Sequence, residues 1–186
     1  MTVLVSFAST EGQTRKIAGR IALHARERGH EVNLYDTASL ASVPDIDAFN
    51  SVIVAASVHE ECHQDSVINF AIAHRDQLRR KSSAFVSVSL SAATSGGQAE
   101  AQHYLDRFMA ATGWSPEKTL LLGGALRLSE CDYFQRQVLK HILMKGGVTP
   151  DQEVNYEFTD WTALKGFIDD FLTRASPRAI ASVSCG

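Results

Sequence analysis

The chain has 186 residues, a formal net charge of −3 and a pI of about 6.1. With 45% hydrophobic and 21% charged residues, its composition is that of one globular domain with a buried core. These values exclude the basic surface typical of nucleic-acid binding, and no apolar run reaches the roughly 18 residues that span a bilayer. The three cysteines, at positions 62, 131 and 185, form neither a disulfide framework nor a CxxC metal site, which indicates the reducing cytoplasm.

Strand-like and helix-like segments alternate along the chain. Apolar or alternating runs predict five strands, at residues 2–8, 30–36, 51–57, 83–90 and 118–126. Apolar residues at helical spacing predict four helices between and after them, at residues 13–28, 64–80, 98–112 and 160–173. Because the central strands are apolar on both faces, they favour an α/β domain with a parallel sheet covered by helices on both sides.

Two segments depart from this alternation. Residues 128–157 separate the fifth strand from the last helix and are too long for an ordinary connection, so we predict a helical insert. Residues 175–186 are small and polar, so we predict a flexible tail after a single domain at 1–174.

Residues 134–145, within the insert, have helical spacing. They place five apolar side chains on one face and carry three basic residues without an acidic one. Such an amphipathic helix either lies on an anionic membrane surface or packs on the sheet or in a dimer interface. The sequence therefore leaves both peripheral membrane contact and homo-oligomerisation open.

The first strand leads into the first helix through six residues with chemical significance: Ser9, Thr10, Glu11, Gly12, Gln13 and Thr14. Backbone N–H groups converge at a helix N-terminus, where the helix dipole favours an anion, and the three hydroxyl side chains add further donors. Neither a P-loop lysine nor a GxGxxG pattern is present, so the loop suits one phosphate monoester better than a polyphosphate. The alternative is an ordinary N-cap made by Thr10.

Several segments together resemble one protein family. They are SFASTEGQTRKIA, VIVAASVH, SAFVSVSL, GGALR and, near the C-terminus, EFTDW. In order and spacing they resemble the flavodoxin-like, quinone-dependent protoporphyrinogen oxidases, and the resemblance covers residues 2–172.

The resemblance implies a flavodoxin-like three-layer sandwich with a five-stranded parallel sheet of order 2-1-3-4-5. It implies FMN as the cofactor, with its phosphate held by residues 9–14. The flavin ring would be flanked by two loops: Ser57, Val58 and His59 on one side, and Leu90, Ser91, Ala92, Ala93 and Thr94 on the other. The implied activity is electron transfer from a reduced tetrapyrrole to a quinone in haem biosynthesis, in the cytoplasm or on the inner face of the cell membrane. No catalytic side chain is assigned, because the cofactor carries the chemistry.

Two other functions remain open. One is a flavodoxin-type electron carrier or a quinone reductase that acts with other partners, which the acidic residues Glu60, Glu61 and Asp65 favour. The other is a flavodoxin-fold module that has lost its flavin. The basic segment 134–145 favours the enzyme instead.

His59 and His63 stand four residues apart beside Cys62, a spacing that also occurs in metal sites. We assign no metal to them, because the same place is taken by the predicted flavin loop. His59 then either tunes the flavin or belongs to a solvated polar loop.

Overall fold

The structure is a computed structural model that describes residues 1–127 and 155–175. Within these ranges the backbone forms eight strands: β1 (Thr2–Ala8), β2 (Glu31–Asp36), β3 (Ser51–His59), β4 (Cys62–His63), β5 (Ser82–Ser89), β6 (Lys118–Gly123), β7 (Ala125–Arg127) and β8 (Asn155–Glu157). The same ranges contain five α-helices: α1 (Gln13–Glu27), α2 (Asp65–Ala73), α3 (Arg75–Arg80), α4 (Gln98–Thr112) and α5 (Trp161–Ala175).

The five long strands form a parallel sheet in the order β2-β1-β3-β5-β6. Counting only these five strands in chain order, this is the predicted order 2-1-3-4-5, so the predicted flavodoxin-like fold class is confirmed. In register, Val5 pairs with Leu34 on one side and Ile53 on the other. All the loops that follow these strands therefore leave from one edge of the sheet.

Alternate residues of each central strand enter two separate hydrophobic layers. On β1, Val3, Val5 and Phe7 belong to the layer that α1 and α5 cover. Leu4 and Ala8 belong to the layer beneath α2, α3 and α4, which also contains a fully buried tryptophan, Trp114. The sheet is thus buried on both faces, as its apolar strands predict.

The structure divides one predicted helix and one predicted strand. The predicted helix 64–80 is two helices, because the backbone of His74 leaves the α-region with φ −110° and ψ 15°. The predicted strand 118–126 ends at Gly123, and β7 pairs instead with β8 in a separate antiparallel ladder. The backbone N–H of Phe158 donates to the Gly124 carbonyl, so the returning chain meets the strand where it breaks.

The predicted amphipathic helix 134–145 lies outside the described residues, as do most of the predicted insert and the residues after Ala175. The predicted domain and insert boundaries therefore stay predictions. Among the helices that the structure describes, none has the length and apolar character needed to cross a membrane.

Candidate functional site

A cleft opens at the carboxyl edge of the sheet, where the loops after β1, β5 and β6 meet the end of β3. Its walls are formed by Ser9, Thr10, Glu11, Gln13, Thr14, Ser57, Val58, His59, Val88, Ser89, Leu90, Gly124 and Ala125. The cleft therefore joins the predicted phosphate loop to both segments predicted to flank the flavin. Crevices at this edge of open α/β sheets are where such folds bind ligands.

The predicted phosphate loop curls back at Gly12, whose φ of 90° is open to glycine at little cost. The Gly12 N–H donates to the Ser9 hydroxyl oxygen over 3.0 Å, which closes the loop. The N-cap residue of α1 is Gly12, and no side chain in the described part of the chain caps this helix. The N-cap alternative, with Thr10 as the capping residue, is therefore wrong, and the first N–H groups of the helix remain free for an anion.

Thr14 lies in the first turn of α1 and carries the clearest sign of an expected ligand. Thr14 is 1% exposed, and its hydroxyl oxygen has no hydrogen-bond partner among the residues that the structure describes. The same residue lines the cleft. A buried hydroxyl without a partner costs free energy, so its position beside open helix N–H groups fits a bound anion.

The sequence predicted that Ser57–His59 form a loop. In the structure this segment is the end of β3. Val58 pairs with His63 and His59 with Cys62 in a tight antiparallel hairpin. The two residues at its tip, Glu60 and Glu61, have φ values of 48° and 63°. Left-handed backbone is costly for residues with a Cβ, so this hairpin is strained beside the cleft.

His63, the second histidine of this segment, is part of the core. Its ring contacts the rings of Phe85 and Phe108 at 5.2 and 5.0 Å, and its Nε2 lies 3.0 Å from the Ser87 hydroxyl. Burial lowers the pKa of His63 to about 4. In the described ranges no three potential metal ligands come together, and His59 is exposed to solvent.

The segment after β5 is only partly in the cleft wall. Leu90 lines the cleft, whereas Ser91–Ala93 form a short 3-10 turn beside it, followed by Thr94. The Ser91 hydroxyl donates to Glu100 of α4 over 2.8 Å, and the Tyr104 hydroxyl donates to the same carboxylate. Burial and this carboxylate raise the pKa of Tyr104 to about 12. The turn is thus fastened to α4.

The EFTDW segment fastens the phosphate loop from the other side. The Gln13 amide donates to the Thr159 hydroxyl, which donates to the Gly123 carbonyl over 2.9 Å. Lys16 pairs with Glu157 at 2.5 Å, and Glu157 also accepts from the Trp161 indole. The Lys16 hydrogen bond lowers the pKa of Glu157. The segment that contributed to the family resemblance therefore anchors the first turn of α1.

The sequence missed four cleft-lining residues: Val88, Ser89, Gly124 and Ala125. It also missed Gln64, whose amide bonds the hydroxyls of Thr10 and Ser57. Val88 and Ser89 could have been predicted, because they stand at the end of a buried strand. No local pattern marks Gln64.

The fold and the cleft define a flavodoxin-type protein. Residues 4–153 match the flavodoxin domain family, and the chain belongs to that family. It is 26% identical to protoporphyrinogen IX dehydrogenase [quinone] of Escherichia coli strain K12 over 90% of this chain and 92% of the relative. It is 27% identical to the protein of the same name from Leishmania major over 90% of this chain and 73% of the relative.

A solved structure confirms the architecture. A short-chain flavodoxin associated with a bacterial microcompartment superimposes with a TM-score of 0.57 and 14% identity, covering 95% of this chain and 99% of that chain. At this identity the similarity concerns the fold alone.

FMN is the cofactor of this flavodoxin-type oxidoreductase, and the cleft fits it. In the described ranges the N-terminus of α1 has no side-chain cap and the Thr14 hydroxyl has no partner, so both are available as donors to one phosphate. The cleft then continues between the ends of β3 and β5, where a planar ring system has walls on two sides.

Proposed function

We propose that this chain oxidises a reduced tetrapyrrole of the protoporphyrinogen class and passes the electrons to a quinone in haem biosynthesis. The names of the two relatives support these substrates. The observation that carries the site is the buried hydroxyl of Thr14, which has no partner among the described residues and lies at a helix N-terminus that none of them caps. FMN supplies the two-electron chemistry, because it accepts and releases electron pairs.

The phosphate of FMN is held, in this proposal, by the loop Ser9–Thr14. Ser9, Thr10 and Thr14 provide hydroxyl groups, and Gly12 lets the backbone approach closely. The Gln13 side chain is already engaged with Thr159, so its role is to anchor the loop. The cations that follow, Arg15 and Lys16, are paired with Asp36 and Glu157. Neutral donors therefore carry the recognition of the phosphate.

The flavin ring lies, in this proposal, between Ser57–His59 and the segment Leu90–Thr94. The β3–β4 hairpin supports the first wall, and the hydrogen bond from Ser91 to Glu100 fastens the second to α4. Rigid walls keep the ring oriented and limit the water around it, which is the protein's contribution to a cofactor reaction. His59 is exposed at the end of β3, and we propose that it tunes the flavin potential.

The direct test is anaerobic. The purified protein, loaded with FMN, is mixed with protoporphyrinogen and bleaching of the flavin absorbance is followed; a quinone is then added. We expect bleaching on the first addition, and recovery of the oxidised flavin together with formation of porphyrin fluorescence after the second. A bound flavin that protoporphyrinogen does not reduce would contradict the proposed donor.

The surface beside the cleft supports a second candidate, an electron carrier that docks a basic protein partner. The exposed Glu60 and Glu61 side chains form the tip of the β3–β4 hairpin, next to His59. In the test above, a carrier would leave protoporphyrinogen unoxidised. It would still be reduced by a flavodoxin reductase.

We also propose peripheral membrane contact, on the sequence pattern of residues 134–145 alone. Their three basic residues, Arg136, Lys140 and Lys145, would each contribute about 1 kcal/mol near an anionic lipid surface. Flotation with anionic liposomes, compared between the wild type and the triple glutamate variant, tests this. Equal flotation of the two proteins would exclude a role of these three basic residues in binding anionic lipid.

A further inference from the structure

One side chain links the predicted phosphate loop to the predicted wall of the flavin site. Gln64 precedes α2 and does not line the cleft. Its Nε2 lies 3.1 Å from the Thr10 hydroxyl oxygen and 2.5 Å from the Ser57 hydroxyl oxygen. Thr10 belongs to the loop after β1 and Ser57 to the end of β3, so one amide spans both.

The chemistry of the amide decides how these two hydroxyls behave. An amide nitrogen carries two protons and accepts none, so each hydroxyl oxygen receives one of them. Each hydroxyl keeps its own proton, and in the part of the chain that the structure describes neither proton has a protein acceptor. Both residues line the cleft. The two hydroxyls are therefore held as donors toward whatever occupies it.

The opposite orientation of the amide would change what the two hydroxyls offer. The Oε1 atom of Gln64 is buried, and within residues 1–127 and 155–175 it has no hydrogen-bond partner. A reversed amide would present that oxygen to Thr10 and Ser57, and both would donate to it. Their protons would then point away from the cleft, and their oxygens would face an anion. A donor-facing amide is thus the arrangement that an anionic ligand requires.

We propose that Gln64 is a positioning residue for FMN, which turns the hydroxyl protons of Thr10 and Ser57 toward the cofactor. This inference rests on the FMN site proposed above. Gln64 acts through the two hydroxyls and does not touch the cofactor. It couples phosphate recognition to the wall of the ring site, because the same amide serves both.

Two variants separate orientation from packing. Gln64→Met keeps the length of the side chain and removes the donor. Gln64→Glu keeps the shape and offers only acceptors, which is the chemistry of the reversed amide. Each is made in the wild type and in a Thr10→Val, Ser57→Ala background, which lacks both hydroxyls. FMN is titrated into the full-length apoprotein, and quenching of flavin fluorescence gives the dissociation constant.

We expect Gln64→Met to weaken FMN binding about tenfold in the wild type and to have little effect in the background without hydroxyls. We expect Gln64→Glu to weaken it about a hundredfold, with the deficit shrinking as the pH falls and the carboxyl regains a proton to donate. High salt screens charge repulsion, and the Debye length at 0.5 M salt is on the order of 4–5 Å, so a deficit that vanishes there reports charge and not proton direction. Asn69→Asp, which adds one charge to the exposed face of α2, is the control.

Three outcomes decide the inference. An equal loss for Gln64→Met in both backgrounds would make Gln64 a packing residue and overturn the proposal, as would no loss in either. A Gln64→Glu deficit that salt removes entirely, at every pH, would reduce its effect to charge. Circular dichroism of the apoproteins establishes that each variant is folded. A wild type that binds no FMN would instead refute the proposed function, so the two failures are distinguishable.

Discussion

The side-chain amide of Gln13 donates to the hydroxyl of Thr159 over 2.8 Å, across 146 positions of the chain. This bond joins the first turn of α1 to the segment that begins α5. Because the Thr159 hydroxyl in turn donates to the Gly123 carbonyl, the turn that carries Thr14 is fixed to the end of β6. The predicted phosphate loop is thus held by a distant part of the chain and not only by its own turn.

Replacing Thr159 by valine tests this anchor. The change leaves the Gln13 amide and the buried Gly123 carbonyl without their partner, so we expect a loss of about 1–3 kcal/mol in the free energy of unfolding. FMN affinity should fall with it, because the first turn of α1 loses its anchor. Urea unfolding and FMN titration measure the two effects. Thr162→Val, at an exposed position of α5, is the matched control and should change neither.

Thr14→Val should move stability and cofactor binding in opposite directions. The Thr14 hydroxyl is buried and has no partner in the part of the chain that the structure describes, so a methyl group in its place should raise apoprotein stability by about 1 kcal/mol. FMN affinity should fall roughly ten- to 150-fold, the equivalent of a hydrogen bond to a charged group. Thermal unfolding of the apoprotein and FMN titration provide the two numbers.

The control for Thr14 is a buried threonine whose hydroxyl is satisfied. The Thr112 hydroxyl donates to the Phe108 carbonyl and accepts from the Trp114 N–H. Thr112→Val should therefore destabilise the apoprotein and leave FMN affinity unchanged. If Thr14→Val behaved in the same way, the hydroxyl of Thr14 would have no part in binding.

His63 should make stability depend on pH. Burial lowers its pKa to about 4, from 6.5 in the unfolded chain, so between these values the unfolded state binds more protons. The free energy of unfolding should therefore fall as the pH drops from 6.5 to 4, by about 3 kcal/mol, and this contribution should be constant above 6.5. Urea titrations at several pH values, compared with His63→Gln, isolate the effect.

The difference between wild type and His63→Gln should shrink over that pH range. His103→Gln, at an exposed position of α4, provides the comparison for the loss of any histidine. A wild-type slope that survives in His63→Gln would assign the pH dependence to other groups.

Residues suited to left-handed backbone at the tip of the β3–β4 hairpin should increase the stability of the protein. Glu60→Asn with Glu61→Gly should stabilise the protein by about 1–2 kcal/mol in urea unfolding, because both positions have positive φ. The double variant Glu60→Gln, Glu61→Gln removes the same two charges and keeps the strain, so it should not gain stability. An equal gain in both variants would trace the effect to charge repulsion.

The same pair of variants bears on the electron-carrier candidate. If a basic partner docks at the hairpin tip, both variants should lose electron transfer to it, and the loss should be largest at low salt. Tetrapyrrole oxidation by an enzyme should not depend on these two charges.

The order of elements and the place of the cleft could be predicted from the sequence. Apolar runs such as 51–57 and helical spacing such as 98–112 are local signals, since a strand or helix repeats every two or 3.6 residues. A strand that ends in hydroxyls and a glycine before a helix is local too, and a parallel α/β sheet brings such loops to one edge. The prediction of one continuous helix at 64–80 was wrong at His74, because no helix-breaking residue marks that position in the sequence.

The sequence by itself therefore determined the fold class and the three segments that meet at the cleft. Only the tertiary structure decided which polar groups are satisfied: Gln64 bonds Thr10 from 54 positions away, and Thr159 bonds Gln13 from 146 positions away. It also placed His63 in the core, a location that its spacing from His59 did not indicate. The reason is physical, since periodicity sets which face a residue occupies, whereas packing between distant segments sets what that residue meets there.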